Sequence, residues 1–466
     1  DSAISRLGHL RDLGIDIVEL MPVAAFPGRR GWGYDGVGLY AVHDAYGGPA
    51  ALQRFVDAAH QQGIGVALDV VYNHLGASGN YLAEFGPYFT ERHQTPWGAG
   101  LNLDGPDGGG VRAFVVDNAL RWLRDFHVDA LRLDAVHAIQ DDSPTHILAE
   151  LSARVTELEE EIGRPLGLVA ESDLNDVTMV TPLSEGGLGM DGQWADDVHH
   201  ALHAWLTGET FGYYVDFGSA EVLAHALRHV FVHDGGHSTF RGRDWGRPVP
   251  DDVDRRRFVT FTENHDQIGN RALGDRPESR LAPGTVAGGA ALLLLSPFSP
   301  MVFQGQEWAT RSPFQFFTDH GPDLADLVVE GRKAEFAGHG WEELYGGDVE
   351  VPSPQDPATF HASRLPWEEL EDPDHAAMFA WYRDLIALRR EFGDGSAHQL
   401  PEVDHGDGWF RMVRGPLSVI VVPGPEGRTV REPAGASTAL AFGDVTVGGD
   451  GVVALGPHAV AVMRRP

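Results

Sequence analysis

The sequence contains no cysteine. This absence excludes disulfide bonds, thiolate zinc sites and cysteine nucleophiles. Basic residues are also scarce, since 35 Lys and Arg stand against 68 Asp and Glu and give a formal net charge of −33. Such a charge disfavours nucleic acids and anionic membranes as partners, because both bind to basic surfaces.

Long apolar runs are missing as well. The longest, at 290–295, is far shorter than a bilayer-spanning segment, and residues 1–6 do not resemble a signal peptide. Hydrophobic residues nevertheless make up 42% of the chain, and 11 Trp can help to fill a large core. A chain of 466 residues suits a large barrel with an appended domain. The composition therefore predicts a soluble, acidic enzyme or binding protein of the cytoplasm.

Short apolar runs alternate with helical patterns over the first 305 residues, as expected for strands buried on both faces. The seven runs lie at 15–20, 65–72, 129–134, 167–172, 190–194, 258–264 and 300–305. Segments 49–63 and 115–126 repeat apolar residues at helical spacing. This alternation predicts parallel βαβ units, and the polar tip after each strand favours a closed barrel. The expected fold class is α/β, a (β/α)8 TIM barrel.

The pattern changes after Gly305. Residues 313–365 are punctuated by Gly, Pro and Asp and predict a loop-rich excursion, which a helix at 374–391 follows. From about Gly395 the chain predicts short antiparallel strands. Their expected positions are 409–414, 418–422, 439–442 and 459–463. We therefore predict a catalytic barrel at 1–390 and a C-terminal antiparallel, sandwich-like β domain at 391–466.

Polar residues collect at the C-terminal tips of four predicted strands, where barrel enzymes place their active sites. Arg132 and Asp134 have the same parity along their strand, so both can point inward. A guanidinium beside an aspartate favours the ionised carboxylate that a nucleophile requires. Each acid alone is most simply explained as a loop-end or ion-pair residue. Their joint occurrence at three strand ends indicates a catalytic site.

These tips resemble, in order, the four signature regions of the α-amylase superfamily. They are Asp69-Val-Val-Tyr-Asn-His74, Leu131-Arg-Leu-Asp134, Glu171 and Asn264-His-Asp266. The resemblance implies that Asp134 is the nucleophile, Glu171 the general acid/base and Asp266 the transition-state stabiliser. A retaining glycosidase needs two carboxyl groups about 5–5.5 Å apart, one ionised and one protonated. Adjacent strand tips of a barrel can supply such a pair.

Further residues would support the reaction. The resemblance implies that Arg132 keeps the nucleophile ionised, and that His74 and His265 bind hydroxyl groups of the cleaved glucose. Glu171 must carry a proton to give to the leaving oxygen, a state that burial and nearby negative charge favour. Glu263 is a rival acid. We rank it below Asp266, because the family motif centres on the His-Asp pair.

A second set of motifs resembles one branch of this superfamily, the malto-oligosyltrehalose trehalohydrolases. They are Trp32-Gly-Tyr-Asp35, Glu171-Ser-Asp-Leu-Asn175, Trp194-Ala-Asp-Asp-Val-His-His200, Tyr213-Tyr214, His265-Asp-Gln-Ile-Gly-Asn-Arg271, Phe303-Gln-Gly-Gln-Glu-Trp308 and Pro313-Phe-Gln-Phe-Phe-Thr-Asp-His320. The resemblance implies hydrolysis of the α-1,4 bond beside the terminal trehalose of malto-oligosyltrehalose. It also implies functional pairing with malto-oligosyltrehalose synthase, and it calls for no cofactor and no metal.

The resemblance and the positions of the motifs together identify candidate substrate-binding residues. They are Trp32, Tyr34, Asp35, His74, Arg132, His137, Asp196, Asp197, His199, His200, His265, Gln267, Gln306 and Glu307. Trp32 and Tyr34 are the preferred residues for stacking against a sugar, because they follow a predicted strand. The competing explanation for a single Trp is packing in the core.

Two polar clusters have alternative interpretations. Residues 196–200, with His203, could ligate a metal or begin a helix capped by Asp. We favour binding of sugar hydroxyl groups in the subsites that receive trehalose. Asn73, whose counterpart joins a calcium site in many amylases, has no convincing set of partner ligands in the sequence.

Two other functions are weighed against the trehalohydrolase. A glucan branching enzyme, or another α-1,4-glucan-active transglycosylase, is the second interpretation. Branching enzymes usually carry Glu directly after the His-Asp pair, where this chain has Gln267. A non-catalytic glucan-binding protein is the third, and the intact Asp134, Glu171 and Asp266 argue against it.

The beginning of the chain bears on the barrel. Residues 15–20 resemble the family's second barrel strand, and residues 2–13 resemble the helix that precedes it. We therefore expect the first strand, and the N-terminal β domain usual in this branch, to be absent from this sequence. Because an open barrel has two unpaired edges, a strand-wide gap should separate 15–20 from 300–305.

Overall fold

The computed structural model describes residues 2–95, 97–336, 344–347, 349–393 and 400–466. The chain divides into two compact units. The first consists of Asp1–Trp194 and Phe317–Leu327, and the second of Ala195–Phe316 and Val328–Pro466. The stretch near Gly395, where we expect the β domain to begin, lies outside the described residues. The division at 390/391 stays a prediction.

Twelve α-helices are described within these ranges. They are α1 (Leu7–Leu13), α2 (Gly48–Gln61), α3 (Leu82–Phe85), α4 (Gly109–Asp125), α5 (Ile147–Ile162), α6 (Asp196–Thr207), α7 (Ala220–His229), α8 (His265–Gly269), α9 (Pro283–Leu294), α10 (Pro322–Phe336), α11 (Pro357–Ala362) and α12 (Pro373–Phe392). No helix among the described residues is long and apolar enough to cross a membrane.

The β-strands alternate with these helices in the first part of the chain and follow one another in the last. They are β1 (Ile17–Leu20), β2 (Gly65–Val70), β3 (Phe89–Thr95), β4 (Gly98–Leu101), β5 (Ala130–Leu133), β6 (Gly167–Ala170), β7 (Gly192–Trp194), β8 (His237–Ser238), β9 (Arg243–Asp244), β10 (Phe258–Thr260), β11 (Ser299–Pro300), β12 (Glu402–Gly406), β13 (Trp409–Arg414), β14 (Leu417–Val422), β15 (Arg428–Arg431), β16 (Ser437–Phe442), β17 (Val445–Val447), β18 (Val452–Leu455) and β19 (Ala459–Arg464).

The first unit contains a parallel sheet. Its strands follow the order β1-β2-β5-β6-β7, and Leu131 of β5 lies opposite Leu68 of β2 and Leu168 of β6. Helices α2, α4 and α5 precede β2, β5 and β6, so the chain forms successive βαβ units as predicted. Apolar side chains of these strands and helices form one buried core. The carboxyl ends of the parallel strands therefore meet at one edge.

Helix boundaries show where the sequence pattern is informative. Helix α2 carries a proline in its first turn, and its apolar face, with Leu52 and Phe55, is buried, close to the predicted 49–63. Helix α4 begins six residues before the predicted start at Val115. Its first residues, Gly109 and Gly110, have low helix propensity, so the apolar pattern becomes visible only later.

The second unit contains the parallel pair β10–β11, the antiparallel pair β8–β9 and two larger antiparallel sheets. The sheets have the orders β12-β13-β14-β19-β16 and β15-β18-β17. The predicted C-terminal antiparallel domain is confirmed, and its four predicted strands correspond to β13, β14, β16 and β19. Strands such as β12, whose residues alternate between exposed and half-buried and include only one large apolar side chain, were not predicted. Such strands depend on pairing more than on apolar residues.

The predicted loop-rich excursion at 313–365 is only partly correct. Residues 311–320 have no regular secondary structure, but helices α10 and α11 follow. Residues 337–343 and 348 lie outside the described residues.

Helix α9 supports the C-terminal sheets. Its residues from Gly284 to Leu294 are all buried, so it is apolar on every side, as a core helix should be. It packs against β14 and β19, and the Thr285 hydroxyl donates to the Pro423 carbonyl at 2.9 Å. Gly288 faces Val421 of β14 so closely that a Cβ atom there would overlap the valine side chain. The absence of a side chain permits the close approach.

Substitution of Gly288 tests this packing. A methyl group should force Val421 aside, and overpacking of a core typically costs about 1–3 kcal/mol. We expect Gly288→Ala to lower the free energy of unfolding in urea by that amount. The control is Gly8→Ala in α1, where the added methyl meets nothing within 4 Å and should not destabilise the protein. Equal stability of Gly288→Ala and wild type would contradict the packing.

Candidate active site

Arg132 is the centre of the polar edge in the first unit. Its fully buried guanidinium donates from Nη1 to Asp69 Oδ2 at 2.7 Å and to Asp134 Oδ1 at 2.9 Å. Nη2 lies 2.9 Å from Glu171 Oε2. The ring of Trp194 lies 4.4 Å from the guanidinium carbon. Although burial disfavours the charge, the Asp69 and Glu171 carboxylates raise the pKa of Arg132 well above its ordinary value. The cation is therefore permanent.

Asn73 fixes the second oxygen of the predicted nucleophile. Its Nδ2 donates to Asp134 Oδ2 at 2.7 Å and to the Asp134 carbonyl at 2.9 Å. The backbone N–H of Asp134 donates to the carbonyl of Val70 at 3.0 Å. Both carboxylate oxygens of Asp134 are thus hydrogen-bonded, so the side chain has one defined orientation.

A turn in the left-handed region joins the two predicted catalytic carboxylates. Ala135 follows Asp134 with φ 39° and ψ 50°, a conformation that costs a non-glycine residue free energy. In this conformation its N–H donates to Glu171 Oε2 at 2.6 Å. The structure therefore brings Asp134 and Glu171 together through the turn as well as through the guanidinium of Arg132.

Tyr34, His74 and Trp97 extend this arrangement. The Tyr34 hydroxyl donates to Asp69 Oδ2 at 2.6 Å. The backbone carbonyl of Tyr34 lies 2.9 Å from His74 Nε2. Burial lowers the pKa of His74 despite the nearby Asp134 carboxylate. The imidazole stacks on Trp97 with ring centroids 4.4 Å apart and an interplanar angle of 18°.

Trp97 was not among the candidate binding residues predicted from the sequence. Its side chain is 52% exposed, whereas the preferred stacking candidate, Trp32, is only 6% exposed and packs in the core. Trp97 lies between β3 and β4, whose hairpin was not predicted. The available signal was one Trp beside Pro and Gly, which does not distinguish a sugar-binding residue from a turn residue.

Two predicted binding residues of the first unit, Asp35 and His137, are less buried than Arg132. Asp35 Oδ2 lies 3.6 Å from Nε2 of His320. Nδ1 of the exposed His137 accepts the backbone N–H of Asp173 at 3.3 Å. Their binding of substrate stays a prediction.

The predicted third acid, Asp266, lies in the first turn of α8. Asn264 caps this helix by accepting the Gln267 N–H at 2.6 Å. His265 Nε2 lies 3.2 Å from Asp266 Oδ2, and about a third of the Asp266 side chain is exposed. These residues belong to the second unit, whereas Asp134 belongs to the first. Their joint catalytic site stays a prediction.

The rival acid Glu263 is part of a buried ion pair. Arg276 Nη1 donates to Glu263 Oε2 at 2.6 Å, and both side chains are almost completely buried. Arg276 Nε donates to the Ser312 carbonyl at 2.8 Å. Burial and the Glu263 charge raise the pKa of the neighbouring Glu278 well above its ordinary value. The protonated form of Glu278 is therefore favoured beside the Glu263–Arg276 pair, which is a structural arrangement.

Residues 196–200 begin α6, in agreement with the helix alternative, although no Asp side chain caps it. Asp197 instead accepts the N–H groups of Val232 and His233 at 2.7 and 3.0 Å. Burial lowers the pKa of His199 well below its ordinary value and that of His200 to about 3. Both imidazoles are therefore neutral and could donate or accept hydrogen bonds. Sugar binding by Asp196, Asp197, His199 and His200 stays a prediction.

The remaining candidates are largely buried. Gln267 Oε1 accepts the Tyr213 hydroxyl at 3.4 Å. Gln306 Oε1 accepts the Phe303 N–H at 2.9 Å, and its Nε2 contacts Thr262. Glu307 is also buried. Their binding of substrate stays a prediction.

One cluster outside the predicted site has ligand atoms close enough for a metal. His93, Asp104 and Asp142 place their atoms within 4.8 Å of one another. Arg92 lies 3.4 Å from Asp104 and 2.7 Å from Asp142, so a guanidinium already balances the two carboxylates. We interpret the cluster as an ion-pair network that joins the β3–β4 hairpin to the loop after β5.

Comparisons with known proteins show which proteins this chain is similar to. A family model for the alpha amylase catalytic domain matches residues 2–96. A malto-oligosyltrehalose trehalohydrolase from Arthrobacter ramosus is 52% identical over 99% of this chain and 79% of its own length. One from Mycobacterium tuberculosis (strain CDC 1551 / Oshkosh) is 47% identical over 100% of this chain and 80% of its own length.

A solved structure supports the fold. The crystal structure of a Salmonella typhimurium protein described as an alpha amylase superposes with a TM-score of 0.88 at 36% identity. The match covers 100% of this chain and 79% of the other. The predicted (β/α)8 fold of the alpha-amylase type, with a C-terminal antiparallel β domain, is therefore confirmed.

Substitutions of Glu263 and Glu278 test which of these two buried carboxyl groups carries a charge. Glutamine mimics a protonated carboxyl group, so Glu278→Gln should change the free energy of unfolding by less than about 1 kcal/mol at pH 4 and should raise it relative to wild type at pH 7. Glu263→Gln leaves Arg276 buried without its anion and should cost about 3–5 kcal/mol. Because a raised pKa removes stability as the pH rises above the ordinary value of Glu, Glu278→Gln should also reduce this pH dependence.

Chemical denaturation between pH 4 and 8 checks this assignment. Equal destabilisation by Glu278→Gln and Glu263→Gln at pH 7 would show that both carboxyl groups are charged.

Proposed function

Because the chain belongs to the malto-oligosyltrehalose trehalohydrolase family of the α-amylase superfamily, we propose that it is a retaining glycoside hydrolase that releases trehalose. The bond cleaved is the α-1,4 bond beside the terminal trehalose of malto-oligosyltrehalose. The observation that carries the proposal is the attachment of two acids, Asp134 and Glu171, to one guanidinium at neighbouring strand ends. Functional pairing with malto-oligosyltrehalose synthase, which makes the substrate, is part of the proposal.

Two chemical steps follow from these roles. Asp134 attacks the anomeric carbon of the glucose on the glucan side, while Glu171 gives its proton to the departing trehalose oxygen. The products of this step are free trehalose and a glucan esterified to Asp134. Glu171, now a carboxylate, takes a proton from water, and the resulting hydroxide displaces Asp134. The second displacement restores the original anomeric configuration.

The surrounding residues support both steps. Arg132 places its positive charge 2.9 Å from one oxygen of Asp134, and Asn73 orients the side chain by binding its other oxygen. His74, neutral and next to the nucleophile, can bind a hydroxyl group of the reacting glucose. Asp266 would stabilise positive charge at the anomeric carbon in the transition state.

The proposed roles predict the effects of two conservative variants. Glu171→Gln removes the transferable proton and Asp134→Asn removes the nucleophile, so each should lower kcat by about 10²–10⁴-fold or more while the oligosaccharide still binds. The exposed Glu157→Gln on α5 is the matched control and should retain full activity. Turnover within tenfold of wild type in either variant would refute that residue's role.

Product analysis distinguishes the proposed hydrolase from a branching enzyme. With maltotriosyltrehalose we expect free trehalose and maltotriose, and with maltopentaose little reaction. Longer or branched glucans among the products would favour a transferase. Absence of turnover would favour a non-catalytic protein.

Trp97 is expected to contribute to sugar binding. Its exposed indole stacks on His74, so an apolar sugar face could cover the opposite side of the ring. Trp97→Ala should raise KM for maltotriosyltrehalose about 3–10-fold, and Trp97→Phe should restore most of the affinity. Tyr81→Ala, another exposed aromatic residue between β2 and β3, is the control. A KM unchanged by Trp97→Ala would exclude stacking.

A further inference from the structure

A buried cation lies beside the end of helix α8 in the second unit. Helix α10 is largely exposed and buries two side chains, Arg332 and Phe336, and only 8% of the Arg332 side chain is exposed. The rings of Phe316 and Phe336 lie 5.4 and 4.5 Å from its guanidinium carbon. Burial lowers the pKa of Arg332, because water solvates the charge poorly there. A guanidinium in such a place needs acceptors, and the groups that accept from it indicate its role.

The guanidinium of Arg332 binds the end of α8. Its Nη2 donates to the carbonyl of Gly269, the last residue of the helix, and Nη1 donates to Oδ1 of Asn270 at 3.2 Å. The last carbonyl groups of a helix have no partner within the helix, so Arg332 satisfies one of them. Nη1 also donates to Oε2 of the exposed Glu335 at 2.9 Å. Arg332 therefore joins α10 to the helix that carries Asp266.

Asn270 connects Arg332 with Asp266. Its Nδ2 donates to Asp266 Oδ1 at 3.4 Å, and its backbone N–H donates to the Asp266 carbonyl at 2.9 Å. A guanidinium can only donate hydrogen bonds, whereas an amide has a donor end and an acceptor end. Because Arg332 holds the oxygen of the Asn270 amide, the amide nitrogen is left to face Asp266. On the other side of the carboxylate, His265 Nε2 lies 3.2 Å from Asp266 Oδ2.

We propose that Arg332 is a positioning residue for the reaction, which fixes the amide of Asn270 and through it the orientation of the Asp266 carboxylate. This inference rests on the proposed function, in which Asp266 stabilises the transition state. About a third of the Asp266 side chain is exposed, so an oriented donor restricts its rotation toward water. A displacement of about 1 Å at a reacting group can cost about 100-fold in rate. Arg332 acts on the reaction through Asn270 and does not itself touch the sugar.

Steady-state kinetics on maltotriosyltrehalose tests this path. Arg332→Met cannot donate hydrogen bonds and should lower kcat about 10–100-fold while KM stays within about twofold of wild type. Asn270→Ala should lower kcat by a similar factor. Since both residues act on Asp266 along one path, the double variant should be no slower than the slower single variant. Lys333→Met removes an exposed cation from the same helix and is the matched control, which should retain the kcat of wild type.

Asn270→Asp tests the same path with Arg332 in place. The new carboxylate still accepts from Arg332, so α10 remains bound to α8, but it presents negative charge to Asp266 instead of an N–H donor. We expect kcat to fall at least as far as in Asn270→Ala. A kcat within about twofold of wild type in Asn270→Asp or in Arg332→Met would overturn the proposal. So would a raised KM with unchanged kcat in Arg332→Met, or a double variant in which the two losses multiply.

Crystal structures of wild type and Arg332→Met separate failure of this inference from failure of the proposed function. An Asp266 carboxylate that is rotated in the variant, or spread over several orientations, supports the positioning role even if wild type releases no trehalose. That absence of product would refute the function alone. The same single orientation of Asp266 in both proteins overturns the positioning role even if trehalose is released.

Discussion

The ion pairs of Arg132 are the interaction on which the candidate site depends. A buried guanidinium is costly unless anions surround it, and here the carboxylates of Asp69 in β2 and Asp134 at the end of β5 accept its hydrogen bonds, while Glu171 at the end of β6 lies beside its other nitrogen. The converse also holds, because these acids are kept close together by the shared cation. One charge therefore determines the convergence of three strand ends and the presence of a paired-acid site there.

The local backbone is adapted to this constraint. The left-handed Ala135 directs its N–H to Glu171, and Asn73 takes the oxygen of Asp134 that Arg132 leaves free. Tyr34 binds the same Asp69 that accompanies the guanidinium. In the second unit a different buried arginine, Arg276, has the comparable role of holding the end of the strand that precedes α8. Asp134 and Glu171 in the first unit, and the rival acid Glu263 in the second, thus each lie next to a buried arginine.

Much of this could be predicted from the sequence, for identifiable reasons. Buried parallel strands are marked by apolar runs, and the acids at their ends occur in short motifs, so the βαβ units and the grouping of Asp134 with Glu171 were accessible. The position of Trp97 could not be predicted, because its exposure depends on the β3–β4 hairpin and no local sequence pattern indicates that hairpin. The burial of Trp32, at 6% exposed, was likewise not predicted from its position after a strand, and its binding of substrate stays a prediction. The raised pKa of Glu278 likewise depends on tertiary structure, through burial and the proximity of Glu263.

The most direct test of the central claim, that Asp134 and Glu171 act as a retaining pair beside trehalose, is the stereochemistry of the first products. Proton NMR of a fresh reaction on maltotriosyltrehalose would follow the anomeric proton at the new reducing end of maltotriose. The account predicts that the α anomer appears first, together with trehalose, and then mutarotates. Initial formation of the β anomer would contradict the paired-acid mechanism, because it requires a single displacement by water.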